Sequence, residues 1–181
     1  MDFVQRTLVL IKPDAVKRGL VEEILARFER AGLKVVETKQ IEKAEESLAL
    51  KHYPVTDQWL EKVGHNTLSD CEKFGVEVVE AMGTSVPKEI GEKVHRWNVE
   101  FLTSGSMVAA IVEGTHAIEA VRKLVGPTIP LLAPAGTIRG DYSTASAISE
   151  NAANSAVRNL VHASGSPEEA EREIKLWFDH P

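Results

Sequence analysis

Thr7 to Ile11 reads T-L-V-L-I, a β-branched, apolar run that Lys12-Pro13-Asp14 closes. Proline has no backbone N–H for a central ladder, so the strand must stop there, and whatever follows Ile11 stands at a strand end. Beyond Gly19, Val21, Ile24, Leu25 and Phe28 recur at helical spacing until Ala31-Gly32 supplies a stop. Leu33 to Ile41, with Val35, Val36 and Ile41, reads as a second strand, which completes a strand, helix, strand opening. Glu45 to Lys51 reads as a further helix.

From Val55 to Thr103 the pattern breaks into helical pieces. Ser69 is expected to cap a helix over Asp70 to Met82, and Ile90, Val94, Trp97 and Phe101 form one apolar stripe. Met107 to Glu113 reads as a buried strand, and Thr115 as the opening of a helix carrying Ile118, Val121, Leu124 and Val125. Gly126-Pro127 ends that helix. Pro127 to Asp141 then forms a long loop rich in proline and threonine, a length that is usually functional in a compact domain. Ser143 to Ser155 is small and polar, a surface excursion. Val157 to Ala163 reads as a short strand, and Ser166-Pro167-Glu168-Glu169 as a capping box opening a helix that buries Ala170, Ile174 and Trp177. This order predicts an α+β fold with helices on one face of a sheet.

Composition narrows the function. With 181 residues, 43% of them hydrophobic, the chain suits one domain, residues 1–181. Its net charge of -6 argues against a broad nucleic-acid or membrane surface but leaves room for a local basic pocket. A lone cysteine, Cys71, excludes an internal disulfide and fits a reducing compartment. The longest apolar run, Met107 to Val112, is far too short to cross a bilayer, and no charged-then-apolar signal pattern opens the chain, so a cytoplasmic location is expected.

G-x-x-x-x-G-K-[ST], G-x-G-x-x-G and H-E-x-x-H motifs are all absent, so any phosphate chemistry needs another device. The candidates are Lys12, Arg122, Thr128, Arg139 and His162. Taken singly, Lys12 reads equally as a solvated strand-end lysine, Arg122 as a wet helix face and Arg139 as a loop-fixing ion pair. His162 follows Leu160-Val161 and precedes small residues, Ala163-Ser164-Gly165, that leave space beside the ring. It suits either a satisfied core group or a reactive one.

Four blocks in order, Thr7-Leu-Val-Leu-Ile-Lys-Pro-Asp14 with Arg18-Gly-Leu-Val21, Gly136-Thr-Ile-Arg-Gly-Asp141, Asn159-Leu-Val-His-Ala-Ser164 and Glu171-Arg-Glu-Ile-Lys-Leu-Trp-Phe178, closely resemble the nucleoside diphosphate kinase family. The resemblance covers roughly Arg6 to Tyr53 and Ser104 to Phe178. It implies a ferredoxin-like antiparallel sheet covered by helices, and transfer of the terminal phosphate of a nucleoside triphosphate such as ATP to a nucleoside diphosphate. By position, His162 matches the phosphorylated nucleophile, and Lys12, Arg122, Thr128, Arg139 and Asn159 match phosphate and ribose contacts, with Lys12 also counted as catalytic. Tyr53 matches a residue lining the site. Ser164 and Glu173 match groups supporting the histidine, although Glu173 beside Arg172 and Lys175 also reads as a surface acid. Imidazole, with a reference pKa near 6.5, is unprotonated at neutral pH without a dedicated base, and a phosphohistidine can pass its group to a second nucleotide by ping-pong through one site.

The resemblance further implies Mg²⁺ carried on the nucleotide, with no metal ligands from the protein, and a homo-oligomer, a hexamer or a tetramer of dimers. A nucleotide-binding regulatory protein without turnover is the alternative. Asp141 reads best as a cap of its own loop. Fifty residues separate Tyr53 from Ser104, where the family usually has a short hairpin, so about 55–103 and 143–155 are expected to be insertions. The base-stacking residue falls near Val94, with Trp59, Phe74 or Trp97 as substitutes. The chain ends at Pro181, where many relatives continue in a tail that supports assembly.

Overall fold

The apolar run at the start of the chain is the middle of the sheet. The computed structural model describes residues 3–179, so the end at Pro181 lies outside the described residues. In chain order come β1 (Val4–Ile11), α1 (Pro13–Lys17), α2 (Val21–Arg30), β2 (Lys34–Ile41), α3 (Glu46–His52), α4 (Asp57–Phe74), α5 (Val78–Met82) and α6 (Pro87–Leu102). They are followed by β3 (Met107–Thr115), α7 (Ala117–Val125), a 3-10 turn (Pro130–Leu132), α8 (Ile138–Tyr142), α9 (Ala147–Ala152), β4 (Val161–Ala163) and α10 (Pro167–Phe178). The sheet runs β2-β3-β1-β4 with every pair antiparallel, the ferredoxin-like order.

Helices cover both faces rather than one. Successive β1 side chains point to opposite sides, and both sides of this strand are apolar. Val9 and Ile11 pack with Ile24 and Phe28 of α2 and Val121 of α7. Leu8 and Leu10 pack with Ala49 of α3, Leu102 of α6 and Trp177 of α10. Burying a valine, leucine or isoleucine is worth about 1.5–3 kcal/mol, so four such residues on alternate faces fix the register of β1 firmly.

Residues 55–103 are helical, but not with the expected bounds. Ser69 lies inside α4, which Thr56 caps by accepting the Trp59 N–H at 3.2 Å. Leu60, Gly64, Thr67 and Cys71 keep one buried face through that point, and the stop is Gly75 at φ 65. The stripe Ile90, Val94, Trp97 and Phe101 does converge on one cluster, with Met82 and Ala156. α4 and α6 approach closely at glycines: a Cβ on Gly91 would lie 2.2 Å from the Leu60 carbonyl oxygen.

Three other boundaries differ. β3 continues through Thr115, which pairs with Val4, so α7 starts after His116 at φ 51. β4 is only three residues long because Leu160, at φ 69, bends the chain just before it. In α10, Ser166 accepts the Glu169 N–H, but the Glu169 carboxylate turns back to the Gly165 N–H at 2.7 Å instead of closing a box on Ser166. That helix buries Glu173 and Leu176 beside Ala170 and Trp177, while Ile174 is half-buried.

Candidate active site

β1 and β4 place the two central groups together. Leu10 pairs with His162 across the sheet, so Lys12 emerges just beyond the histidine. Between them the chain makes a tight reversal in which the Val161 N–H donates to the Asn159 carbonyl at 2.7 Å around Leu160. This is a classic-type γ-turn, a rare and strained geometry. Asp14 accepts the Leu160 N–H at 3.1 Å, and the Lys12 N–H donates to the Leu160 carbonyl at 2.8 Å.

Arg139 makes no ion pair among the described residues. Its buried guanidinium donates to three carbonyls, those of Asn159 at 3.0 Å, Gly126 at 2.8 Å and Val161. It therefore fastens the γ-turn and β4 to the end of α7. Lys12 is buried rather than solvated, and its ammonium donates to Asn159 Oδ1 at 2.9 Å, while Asn159 Nδ2 donates to the Thr128 carbonyl at 3.0 Å. Burial first, and Arg139 second, lower the Lys12 ammonium to about 7. Burial likewise brings Arg139 to about 10. Arg122 is exposed on α7 and makes no hydrogen bond or ion pair to the described residues.

All seven of Lys12, Tyr53, Arg122, Thr128, Arg139, Asn159 and His162 line one pocket of about 310 Å³. Trp59, Asn98 and Glu169 line it too. Among the base-stacking candidates, Trp97 is buried in the helical cluster, Val94 packs against that cluster and Phe74 is exposed at the end of α4. Trp59 alone of the four borders the pocket. Asp141 stands outside it, accepting the Gly136 N–H at 2.7 Å and an Arg27 N–H at 2.6 Å, and so ties the loop to α2.

Behind His162 lies a polar cluster in an apolar wall. His162 Nε2 meets Glu173 Oε2 at 2.8 Å, and the same oxygen accepts from Ser164 Oγ at 2.7 Å. The other Glu173 oxygen accepts from Arg172 at 3.3 Å. Burial raises the Glu173 carboxyl, while His52, Ser164 and Arg172 pull it back. Far from being a surface acid, Glu173 has a fully buried side chain, whereas that of His162 is 18% exposed. Because a carboxylate only accepts, Nε2 carries the proton and Nδ1 holds the free lone pair, without a partner among the described residues. Burial, then Lys12, lower the His162 imidazole to about 3, so it is neutral at physiological pH.

Sequence reasoning missed His52. Its side chain is fully buried, and its ring meets His162 edge-on at 4.3 Å, Tyr53 at 4.7 Å and Trp177 at 5.6 Å. The Trp177 indole N–H donates to His52 Nδ1 at 3.3 Å. Nδ1 is thus unprotonated, and its 3.5 Å approach to Glu173 carries no proton between them. Burial keeps this ring neutral by lowering its pKa well below the usual value. His52 Nε2, which must then hold a proton, is buried with no partner among the described residues. Such an orphan costs about 1–3 kcal/mol. Only the position of His52 at the end of an apolar helix face, just before Tyr53, could have flagged it.

His52, His162 and Glu173 bring ligand atoms within 4.8 Å of one another. The engagements of His52 Nδ1, His162 Nε2 and Glu173 already described leave that set unsuited to a cation. No helix among the described residues is long and apolar enough to cross a membrane.

Comparison with known proteins agrees with this geometry. The family model for nucleoside diphosphate kinase matches residues 5–71 and 76–181, which include most of the helical segment. The nucleoside diphosphate kinase of Pyrobaculum aerophilum is 47% identical over 97% of this chain and 95% of its own. That of Pyrococcus furiosus is 39% identical over 98% and 85%. The crystal structure of the Pyrobaculum aerophilum NDP kinase superposes with a TM-score of 0.90, covering 97% of this chain and 96% of that one. A transition-state mimic of the Borrelia burgdorferi enzyme with bound vanadate and ADP, 37% identical, superposes at 0.75 over 97% and 88%. On sheet order, on a pocket with three cations facing a histidine, and on these matches, the chain belongs to the nucleoside diphosphate kinase family, and it is an enzyme of that kind.

Proposed function

We propose that the enzyme moves the terminal phosphate of ATP to a nucleoside diphosphate by ping-pong through a phosphohistidine at Nδ1 of His162. One observation carries this reading: the bond from Nε2 to Glu173 leaves the Nδ1 lone pair unpartnered beside a pocket lined by Lys12, Arg122 and Arg139. In the first half-reaction the Nδ1–P bond forms as the bond from phosphorus to the bridging oxygen breaks, and the nucleoside diphosphate leaves with that electron pair. The second half-reaction is the reverse onto another diphosphate. Glu173 offsets the positive charge that grows on the ring, and the cations offset charge on the phosphoryl oxygens.

Tyr53, Thr128 and Asn159 bind the nucleotide in this reading, with the base stacked on Trp59, and Ser164 holds Glu173. The reaction of this family uses a divalent metal ion, which we read as Mg²⁺. Among the described pocket residues the one carboxylate, Glu169, is engaged by the Gly165 N–H, and the rest are cationic, amide, hydroxyl or apolar groups and the His162 imidazole, a lone nitrogen ligand. Such a lining does not make a protein cage for a hard cation, so Mg²⁺ arrives as part of the substrate. We read the enzyme as a cytoplasmic homo-oligomer; the free buried thiol of Cys71 and the edge position of β2 support this.

The test is intact-mass measurement after mixing with Mg²⁺ and ATP, beside His162→Ala. One acid-labile phosphate per chain, confined to the unsubstituted protein, is expected. An adduct that persists in His162→Ala refutes the assignment, as does a protein that turns over without any adduct.

A further inference from the structure

The role of His52 is not explained by packing alone. A leucine would fill a fully buried position without an unpaired N–H, yet a planar ring stands there against the reacting ring. Its own orientation is fixed from behind, because the Trp177 N–H has His52 Nδ1 as its acceptor. Trp177 is itself almost fully buried in the core formed by α10 and β1. His162, by contrast, has a single side-chain bond among the described residues, at Nε2, and that bond alone does not stop the ring from turning over.

A turned ring matters chemically. Rotating χ2 of a histidine by about 180° exchanges the sides on which Nδ1 and Nε2 stand. In a turned His162, the nitrogen bonded to Glu173 is lost from it, and the other edge of the ring faces the pocket. His52 stands edge-to-face at 4.3 Å with the planes 80° apart, an arrangement in which the edge of one ring occupies the space the other would sweep.

We propose that His52 is a positioning residue that locks the His162 ring, holding Nε2 on Glu173 and Nδ1 toward the pocket, so that phosphate is accepted at Nδ1 alone. This rests on the phosphohistidine reading above. The lock is steric and comes from the ring; the His52 nitrogens serve to orient that ring against Trp177.

Two substitutions separate these contributions. His52→Gln keeps an acceptor for the Trp177 N–H but removes the ring, and His52→Phe keeps the ring but removes the acceptor. Each protein is phosphorylated with Mg²⁺ and ATP, denatured in alkali, and its phosphohistidine isomers are resolved by ³¹P NMR; single-turnover rates and KM for ATP are measured alongside. The unsubstituted enzyme and His52→Phe are expected to carry the Nδ1 isomer only. His52→Gln is expected to carry a tenth or more of the Nε2 isomer and to be phosphorylated about tenfold more slowly, with KM within twofold. Leucine at the same position makes the same test if the glutamine protein does not fold.

Pure Nδ1 isomer at an undiminished rate in His52→Gln or His52→Leu overturns the proposal. So does isomer mixing in His52→Phe with none in His52→Gln, which would assign the effect to the hydrogen bond. Absence of phosphohistidine from the unsubstituted enzyme would instead defeat the reading on which this one stands.

Discussion

Lys12, Arg122 and Arg139 look interchangeable as counter-charges, but the structure separates Arg122 from Arg139 sharply. Replacing Arg139 by methionine leaves the carbonyls of Gly126 and Val161 without their donor, while that of Asn159 keeps the Val161 N–H. At the low end of about 1 kcal/mol for each unsatisfied acceptor, the loss is about 2 kcal/mol of stability. For a chain of this length that lowers Tm by about 4–8 °C. Arg122 is exposed and donates to none of the described residues, so Arg122→Met is expected to stay within about 0.5 kcal/mol of the unsubstituted protein. Its cost falls on the reaction, where loss of one fixed charge is worth about 3 kcal/mol of barrier, or roughly 150-fold in rate. Thermal unfolding followed by near-UV circular dichroism, with quenched-flow phosphorylation on the same samples, reads both quantities. Arg139→Met should be slow and heat-labile, Arg122→Met slow and normally stable. Equal melting temperatures for the two variants would refute the argument.

Four further outcomes are expected. In kcat/KM against pH, His162, held down to about 3, contributes no acid limb above pH 5, while Lys12 at about 7 makes the rate fall as pH rises through neutrality; an alkaline limb that survives unchanged in Lys12→Arg would refute this. Because the unfolded chain binds protons on His52 and His162 below its ordinary histidine pKa and the folded chain does not, urea midpoints should fall as pH drops below about 6.5, and a midpoint that rises toward acid would reverse that sign. Gly91→Ala puts a Cβ 2.2 Å from the Leu60 carbonyl and should destabilise by about 2–3 kcal/mol in urea, with KM rising because α4 carries Trp59; an unchanged midpoint would show the helices slide freely. Trp59→Ala should raise KM roughly tenfold with little change in Tm, and Trp97→Ala the reverse, so matching effects would defeat the assignment of Trp59 to the base.

The sheet was legible because its signals are local. T-L-V-L-I ending in Lys-Pro and the Met107 run mark two strands directly, and β1 then enforces cover on both faces, which alternating parity would have revealed had it been counted. The end of α4 was not legible from Ser69, since a serine before an acid signals a cap equally well inside a helix, and only the continuing buried face to Cys71 decides. Lys12, Arg139 and Asn159 were identified through motif blocks, yet nothing local says that Arg139 spends its donors on carbonyls. Glu173 is visible on the flank of α10, but His52 comes to Trp177 on that same helix from 125 residues away. Contacts of that separation are set by the sheet order, which no local pattern contains.

β4 has three residues and pairs only with β1, so by itself it would be among the first parts of the sheet to open. Its fastening comes from elsewhere: Arg139 grips the carbonyls on either side of Leu160, Asp14 holds the Leu160 N–H, and the Ser164 N–H donates to Leu8 at 3.2 Å. Opening this edge therefore means releasing the loop after α7 and the first turn of α1 in the same event. Amide exchange at Val161 and Ser164 should then keep pace with exchange at Gly140 and Asp141, as one cooperative unit. The proposed nucleophile, on this edge strand, keeps its place this way while remaining open to solvent on its pocket side.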